Sequence, residues 1–302
     1  MIASQRALKN KNHIRDTLGD RIFLICMYTL AGFIMLITLY PLLYVVSASF
    51  SGAEAVAQGR VYLWPVETSL EGYKLAFADK DIMVGFKNSV FYTALGTSIN
   101  MLLTILLAFP LSRKQLPGRG LITFFVAFTM YFSGGLIPTY LVVNSLKLVD
   151  TVWGLLLPGM ISTFNMIIMR TYFQSSIPDE LQESAELDGC NYTRFLISIV
   201  LPLSAPILAV VALYYGVGLW NGYFNALIYL RSTSKISLQL ALRNVLLANQ
   251  ISAGEVSYAE RAMIGVTIKY AAIVISCVPM MIVYPFVQKF FIRGVMVGAI
   301  KG

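Results

Sequence analysis

Residues 22–53 read IFLICMYTLAGFIMLITLYPLLYVVSASFSGA, a run of 32 without one charged side chain. A helix that crosses the hydrocarbon core of a bilayer needs about 20 mostly apolar residues, so this run can span. It is also far too long for the apolar core of a signal peptide, about 7–15 residues. Ser47-Ala48-Ser49 resembles a cleavage site only in composition, and a retained first helix is expected. Five further charge-free runs follow, at 88–112, 120–146, 151–169, 195–230 and 270–288.

The spans expected from these runs are roughly 22–48, 88–111, 121–143, 152–172, 203–230 and 266–288. The expected fold is all-α: a polytopic six-transmembrane-helix bundle over 22–288, with a basic tail at 1–21 and a second tail at 289–302. Composition agrees. Of 302 residues 57% are hydrophobic and only 13% are charged, and the mean hydropathy is +0.71. A soluble chain carries about 25% charged residues, so lipid is the expected solvent for much of this surface.

The net charge of +8 reads as topology. With the N-terminus inside, 1–21, the 2–3 loop and the C-terminal tail hold 11 basic residues (Arg6, Lys9, Lys11, Arg15, Arg21, Arg113, Lys114, Arg119, Lys289, Arg293, Lys301). Only Asp16 and Asp20 oppose them. Lysine and arginine concentrate in short cytoplasmic loops, which favours N-in, C-in. No loop interleaves a basic cluster with stacking aromatics, so nucleic acid is not an expected partner. Cys26, Cys190 and Cys277 form no paired motif, and His13 is the sole histidine, so neither a metal site nor a catalytic dyad is expected. No phosphate-binding G-x-x-x-x-G-K-[ST] loop occurs either.

One loop breaks the charge pattern. Residues 173–194 carry Asp179, Glu180, Glu183, Glu186 and Asp188 against Arg194 alone. Ser176 with Asp179 fits a capping box, with Pro178 in the first helical turn. Gly189 is a natural helix stop, and Asn191 can cap a second short helix. Leu201-Pro202-Leu203 then leads into the fifth span.

The spacing Glu183-Ser184-Ala185, three residues, Gly189, nine residues, Ile199-x-Leu201-Pro202 resembles the EAA loop of importer-type ABC transporter permeases. Ser184 replaces the central alanine, Asp188 matches the extended motif, and Cys190 replaces its last alanine. Tyr40-Pro41, Trp220-Asn221-x-Tyr223 and the ending 291–302 are similar to the carbohydrate-importer subgroup. That subgroup includes the smaller maltose-transporter permease and the branch importing oligosaccharides and polysaccharide fragments. The resemblance implies a type I importer-like, non-enzymatic subunit in the bacterial inner membrane. It implies a second homologous permease as heterodimer partner, two ATPase subunits that bind ATP and Mg, and an extracytoplasmic solute-binding protein. No cofactor is expected in this chain. The residues implied in ATPase coupling are Glu183, Ser184, Ala185, Asp188, Gly189, Ile199, Leu201 and Pro202.

For a sugar path the expected residues are polar groups within the spans, which are costly there. They are Asn100, Asn165, Tyr214, Tyr215, Trp220, Asn221 and Asn225, with Asn88 as a further polar residue. Arg231, Lys235 and Arg243 read either as a solvated outer loop or as an attractor for an acidic sugar or a binding protein. The competing reading is a six-helix secondary transporter for a small polar solute. It lacks the mid-depth charges such coupling uses.

Overall fold

The structure is a computed structural model and describes residues 17–251 and 259–299. His13, Arg6, Lys9, Lys11, Arg15, Asp16 and Lys301, the side chains of Lys289 and Arg293, and the stretch 252–258 lie outside the described residues. Among the described residues every regular element is helical.

The first helix, α1 (Leu18–Ser49), opens with a capping box. Thr17 Oγ1 accepts from the Asp20 N–H, and Asp20 Oδ2 accepts from the Thr17 N–H. Pro41 is carried inside it, and only Ser47, Ala48 and Ser49 are buried. Apart from the half-buried Tyr44 and Val45, its remaining apolar side chains face outward, as lipid solvation allows. Two short helices, α2 (Ala53–Ala57) and α3 (Glu71–Ala78), follow before α4 (Lys80–Ser112).

The central helix is α4. Asp79 caps it, accepting from the N–H groups of Asp81 and Ile82. Its buried stripe runs Ile82, Gly85, Ser89, Tyr92, Gly96, Asn100, Thr104, Ala108, Leu111. That is the 3.6-residue period with small and polar side chains turned inward. In lipid no hydrophobic force draws helices together, so close backbone approach and interhelical hydrogen bonds must do so. Gly85 shows the requirement: a Cβ there would lie 3.0 Å from Leu238 Cα.

The charge-free runs are not all continuous helices. The third is α5 (Arg119–Tyr131) and α6 (Leu136–Ser145), bent by 110°. Gly134-Gly135 sits in the break, with Gly135 at φ +84. The fourth, expected as 152–172, is divided into α7 (Val152–Leu156) and α8 (Thr163–Ser176) around Pro158-Gly159, where Gly159 has φ +83. Ser162 restarts the helix as the cap of α8. The fifth begins in the segment Tyr192–Leu203, here α10. It turns by 84° into α11 (Ala205–Asn221), and α12 (Phe224–Tyr229) follows Gly222. Proline lacks the N–H and glycine adopts left-handed backbone without steric cost, so runs that hydropathy reads as unbroken are broken by these residues. After α13 (Leu238–Ile251), α14 (Ala259–Ala299) continues past the expected boundary at 288. Among the described residues three helices are individually long and apolar enough to cross a membrane: Leu18–Ser49, Lys80–Ser112 and the stretch Gly265–Phe286. The two bent pairs add up to two more.

Around α4 pack α8, α11 and α13, while α14 packs on α1, α3, α11 and α13. The core lies in separate clusters. One, at the end of the bundle where α4 finishes, joins Phe109, Met166, Phe173, Ala185, Phe195 and Val200. The opposite end is closed by Tyr92, Leu155, Leu230 and Ile236.

Candidate functional site

At the end where α4 finishes, the acidic loop forms a helical hairpin. Its first arm is α9 (Asp179–Leu187), which Pro178 precedes without a side-chain cap. Ser176 does not form the expected capping box, because α8 runs through it and ends there. The stop at Gly189 holds. With φ +74 it turns the chain, its N–H donates to Glu186 O at 3.0 Å, and the Cys190 N–H donates to Ala185 O at 2.9 Å. This double bond pattern is a Schellman motif, and only glycine reaches its left-handed position without strain. Asn191 caps α10 as expected, accepting from the Arg194 N–H at 2.8 Å.

The motif residues divide by face. Ala185 is buried against Phe173, Ile177 and Phe195, with Ile199 and Leu201 packed on the same cluster. Glu183, Ser184, Asp188 and Gly189 are exposed, and Leu187 projects with 90% of its surface free. Pro202 is exposed at the bend into α11. Ser184, the departure from the motif, donates its hydroxyl to Glu180 O at 2.8 Å, so its polarity is absorbed within α9. α10 contains a π-helical turn at Leu196–Val200, the kind of irregularity that often marks functional segments.

Three basic residues tie the end of α4 to α8 and to the start of the hairpin. Arg113 Nη2 donates to Phe173 O at 2.8 Å, Arg170 Nε donates to Leu111 O at 2.8 Å, and Lys114 pairs with Asp179 at 2.8 Å. Lys114 holds the Asp179 carboxyl below the ordinary carboxylate range, chiefly through that hydrogen bond. Sequence reading counted Arg113 and Lys114 only as topology charges, and Arg170 only as the end of a run. The available signal was that one of these cations falls directly after an apolar helix and another falls within the last two turns before the acidic loop.

Mid-bundle, a cavity of about 860 Å³ opens between α4, α8, α11 and α14. Its lining includes Asn100, Asn165, Tyr214, Tyr215 and Asn225, five of the seven expected path residues, together with Phe164 and Tyr284. The size suits a ligand site, which typically holds about 300–1,000 Å³. No charged side chain lines it. Asn100, with its amide oriented to satisfy both neighbours, donates to Gly96 O and Met160 O at 3.0 and 3.1 Å. Tyr215 is committed to packing. Its oxygen accepts from the Ser162 N–H at 2.9 Å and shares a hydrogen bond with the Thr104 hydroxyl at 2.7 Å. Tyr214 and Asn225 remain exposed toward the cavity.

Trp220 and Asn221 do not join them. Trp220 is buried, donates Nε1–H to Ser276 O at 3.0 Å and meets Phe86 edge-on at 5.9 Å. It is a packing residue, because its indole N–H reaches a carbonyl on α14 and its ring fills the α4–α14 interface. Asn221 is exposed outside the cavity lining. At the far end Asn88 donates to Ser234 O and Ile236 O, which ties α4 to the segment that precedes α13. Lys235 is held in an ion pair with Asp150 at 3.1 Å, and Arg231 donates to the Tyr140 hydroxyl at 3.1 Å. Lys235 is thus paired, whereas the Arg231 side chain is held only by a neutral hydroxyl and keeps its charge at the exposed surface. Among the described residues no cluster of three metal-ligating side chains occurs.

A multi-pass helical membrane subunit with an anchored, outward-facing acidic hairpin at one end and a central uncharged cavity, largely apolar with a few amides and tyrosines, is the architecture of a transport permease. No family model matches the chain. It is 41% identical over 285 residues to the polygalacturonan/rhamnogalacturonan transport system permease protein YtcP of Bacillus subtilis, covering 94% of this chain and 99% of that one. Protein LplC of Bacillus subtilis is 39% identical over 290 residues, with 96% and 98% covered. A crystal structure of a bacterial ABC transporter involved in the import of the acidic polysaccharide alginate contains a similar chain. It matches with a TM-score of 0.84 and 36% identity, over 91% of this chain and 98% of that one. The chain belongs to the permeases of ABC transporters, in their carbohydrate-importer subgroup. It is a multi-pass membrane protein, and these relatives favour this reading over the secondary-transporter alternative.

Proposed function

We propose that this chain forms half of the translocation path of an ATP-driven importer of a carbohydrate, an oligosaccharide or polysaccharide fragment. The names of its relatives support that substrate class. A second, homologous permease supplies the other half, and a solute-binding protein delivers the sugar outside the membrane. ATP and Mg are bound and hydrolysed in two separate ATPase subunits. Six crossings with both termini inside, the divided α7–α8 segment making the sixth beside the five that length and composition allow, put the 177–202 hairpin on the cytoplasmic face.

The observation that carries this reading is the hairpin itself. Glu183, Asp188 and Leu187 are presented outward while Ala185, Ile199 and Leu201 are locked into the bundle. A docking element needs both, a free face for the partner and a fixed root to pass on its displacement. The Asn100, Asn165, Tyr214 and Asn225 cavity is the segment of the path contributed here. Amides and tyrosine rings suit sugars, which offer hydroxyls at their edges and C–H faces for stacking.

The test uses the purified complex. Replacing Glu183 by Ala or Gly189 by Val should leave the helices inserted but weaken ATPase association or solute-stimulated hydrolysis. Unchanged association together with unchanged stimulation would sink the assignment.

A further inference from the structure

The two arginines at the root of the hairpin are related reciprocally. Arg113 stands at the C-terminal cap of α4 and donates to Phe173 O, in the last turn of α8. Arg170 stands on α8 and donates to Leu111 O, in the last turn of α4. Each helix end has carbonyls without intrahelical partners and carries the negative end of a helix dipole. Each arginine therefore satisfies the other helix's end. Arg113 is nearly fully buried and its guanidinium lies 5.7 Å from the Phe109 ring centre, so the contact is made away from water.

We propose that Arg113 and Arg170 are positioning residues, a reciprocal clasp that makes the ends of α4 and α8 one rigid block through which the hairpin moves the cavity wall. This rests on the reading of 177–202 as the ATPase-coupling loop. Only Ile177 and Pro178 separate α8 from α9, and Lys114, next to Arg113, grips Asp179 at the start of α9. A displacement of α9 thus reaches both helices at once. The same two helices carry the cavity's buried amides, Asn100 on α4 and Asn165 on α8. At cavity depth they are joined a second time through Tyr215, which bonds Thr104 on α4 and the Ser162 N–H at the cap of α8. Two fastenings along one helix pair define a lever, and without the lower one α8 can shift while α4 stays. The joint also keeps unused bonding capacity: Arg113 Nη1 and Gln182 Oε1, on the inner face of α9, are both buried without partners. An element that passes between two arrangements has such groups to pair in the second.

The experiment uses the complete transporter with its ATPase subunits, in which Cys26, Cys190 and Cys277 are replaced by serine and Asn225→Cys reports on the cavity. A water-soluble maleimide is the probe, with and without MgATP and vanadate. The parent should change its labelling rate about fivefold or more, the lower end of usual coupling. The double variant Arg113→Met, Arg170→Met should assemble and hydrolyse ATP, yet change labelling less than about twofold on that scale, with partial recovery by Arg113→Lys. A purely structural role would lower the yield of complex and leave the change intact in what assembles. That result, or a double variant switching like the parent, overturns the proposal. If the double variant does not assemble, Arg113→Lys and Arg170→Met singly decide it: a reduced change supports the clasp and an unreduced one overturns it. Gly189→Val in the same assay separates the two claims. If it uncouples and the arginine variants do not, only the clasp falls. If it too switches normally, the coupling-loop reading falls with it.

Discussion

The indole of Trp220 on α11 donates to the carbonyl of Ser276 on α14 at 3.0 Å, inside the bundle and away from the cavity. Trp220→Ala should therefore cost stability, about 3–5 kcal/mol for a large aromatic truncated in a core. Thermal unfolding in detergent measures it. Trp220→Phe keeps the packing against Phe86 and loses the hydrogen bond, so its loss should be smaller. A Trp220→Ala protein of unchanged melting temperature but impaired transport would return the residue to the solute path.

The turn at Gly189 sets a conformational requirement. A side chain at φ +74 costs about 1–2 kcal/mol, except that asparagine tolerates this region better than other residues. Gly189→Asn is expected to retain more ATPase association than Gly189→Ala, and Gly189→Val least of the three. Binding measured by co-purification checks the order, and equal behaviour of all three would show that the turn does not matter to docking.

At the far end, Asp150 accepts from the N–H groups of Arg231 and Ser232, the Ser232 hydroxyl and the Lys235 ammonium. The Ser232 hydroxyl and these N–H groups hold its carboxyl well below the usual range. A carboxylate whose folded pKa is depressed stabilises the fold above its unfolded pKa, about 3.9, and loses that contribution as pH falls through the lower folded value. Exchange of the Arg231 and Ser232 amides should thus be flat from pH 7 to 5 after correction for intrinsic rates. Asp150→Ala should speed it throughout that window. Equal protection in the variant would show that Asp150 does not order the loop.

Two neighbouring tyrosines should behave oppositely. Tyr215→Phe leaves the half-buried Ser162 N–H without its acceptor and should lower stability by about 0.5–1.5 kcal/mol. Tyr214→Ala, at a side chain exposed beside the cavity, should change transport with little effect on unfolding. Measuring transport and melting temperature on both variants checks the contrast. Matching losses of stability would remove Tyr214 from the solute path.

Much of this was legible because it is local. Hydropathy is additive along a run, so 22–53 and 88–112 announced α1 and α4. The left-handed stop at Gly189 and the cap at Asn191 need only neighbouring residues, and both stand where the spacing put them. The Ser176 box failed because a capping pattern cannot tell whether the preceding helix has already ended. The breaks at Gly134-Gly135 and Pro158-Gly159 were hidden by apolar neighbours that keep the hydropathy high.

By itself the sequence determined an all-helical membrane chain and the hairpin that carries its family likeness, since apolar length and residue spacing suffice for both. Only the tertiary structure decided which polar residues serve which purpose. Tyr214 and Tyr215 are adjacent, yet one is exposed to the cavity and the other is locked between Ser162 and Thr104. Arg113 and Arg170 find carbonyls 60 and 59 residues away in the chain. A helix repeats every 3.6 residues whatever stands beside it. Which face meets a cavity, a neighbouring helix or lipid depends on how the helices are placed around one another, and no local pattern encodes that.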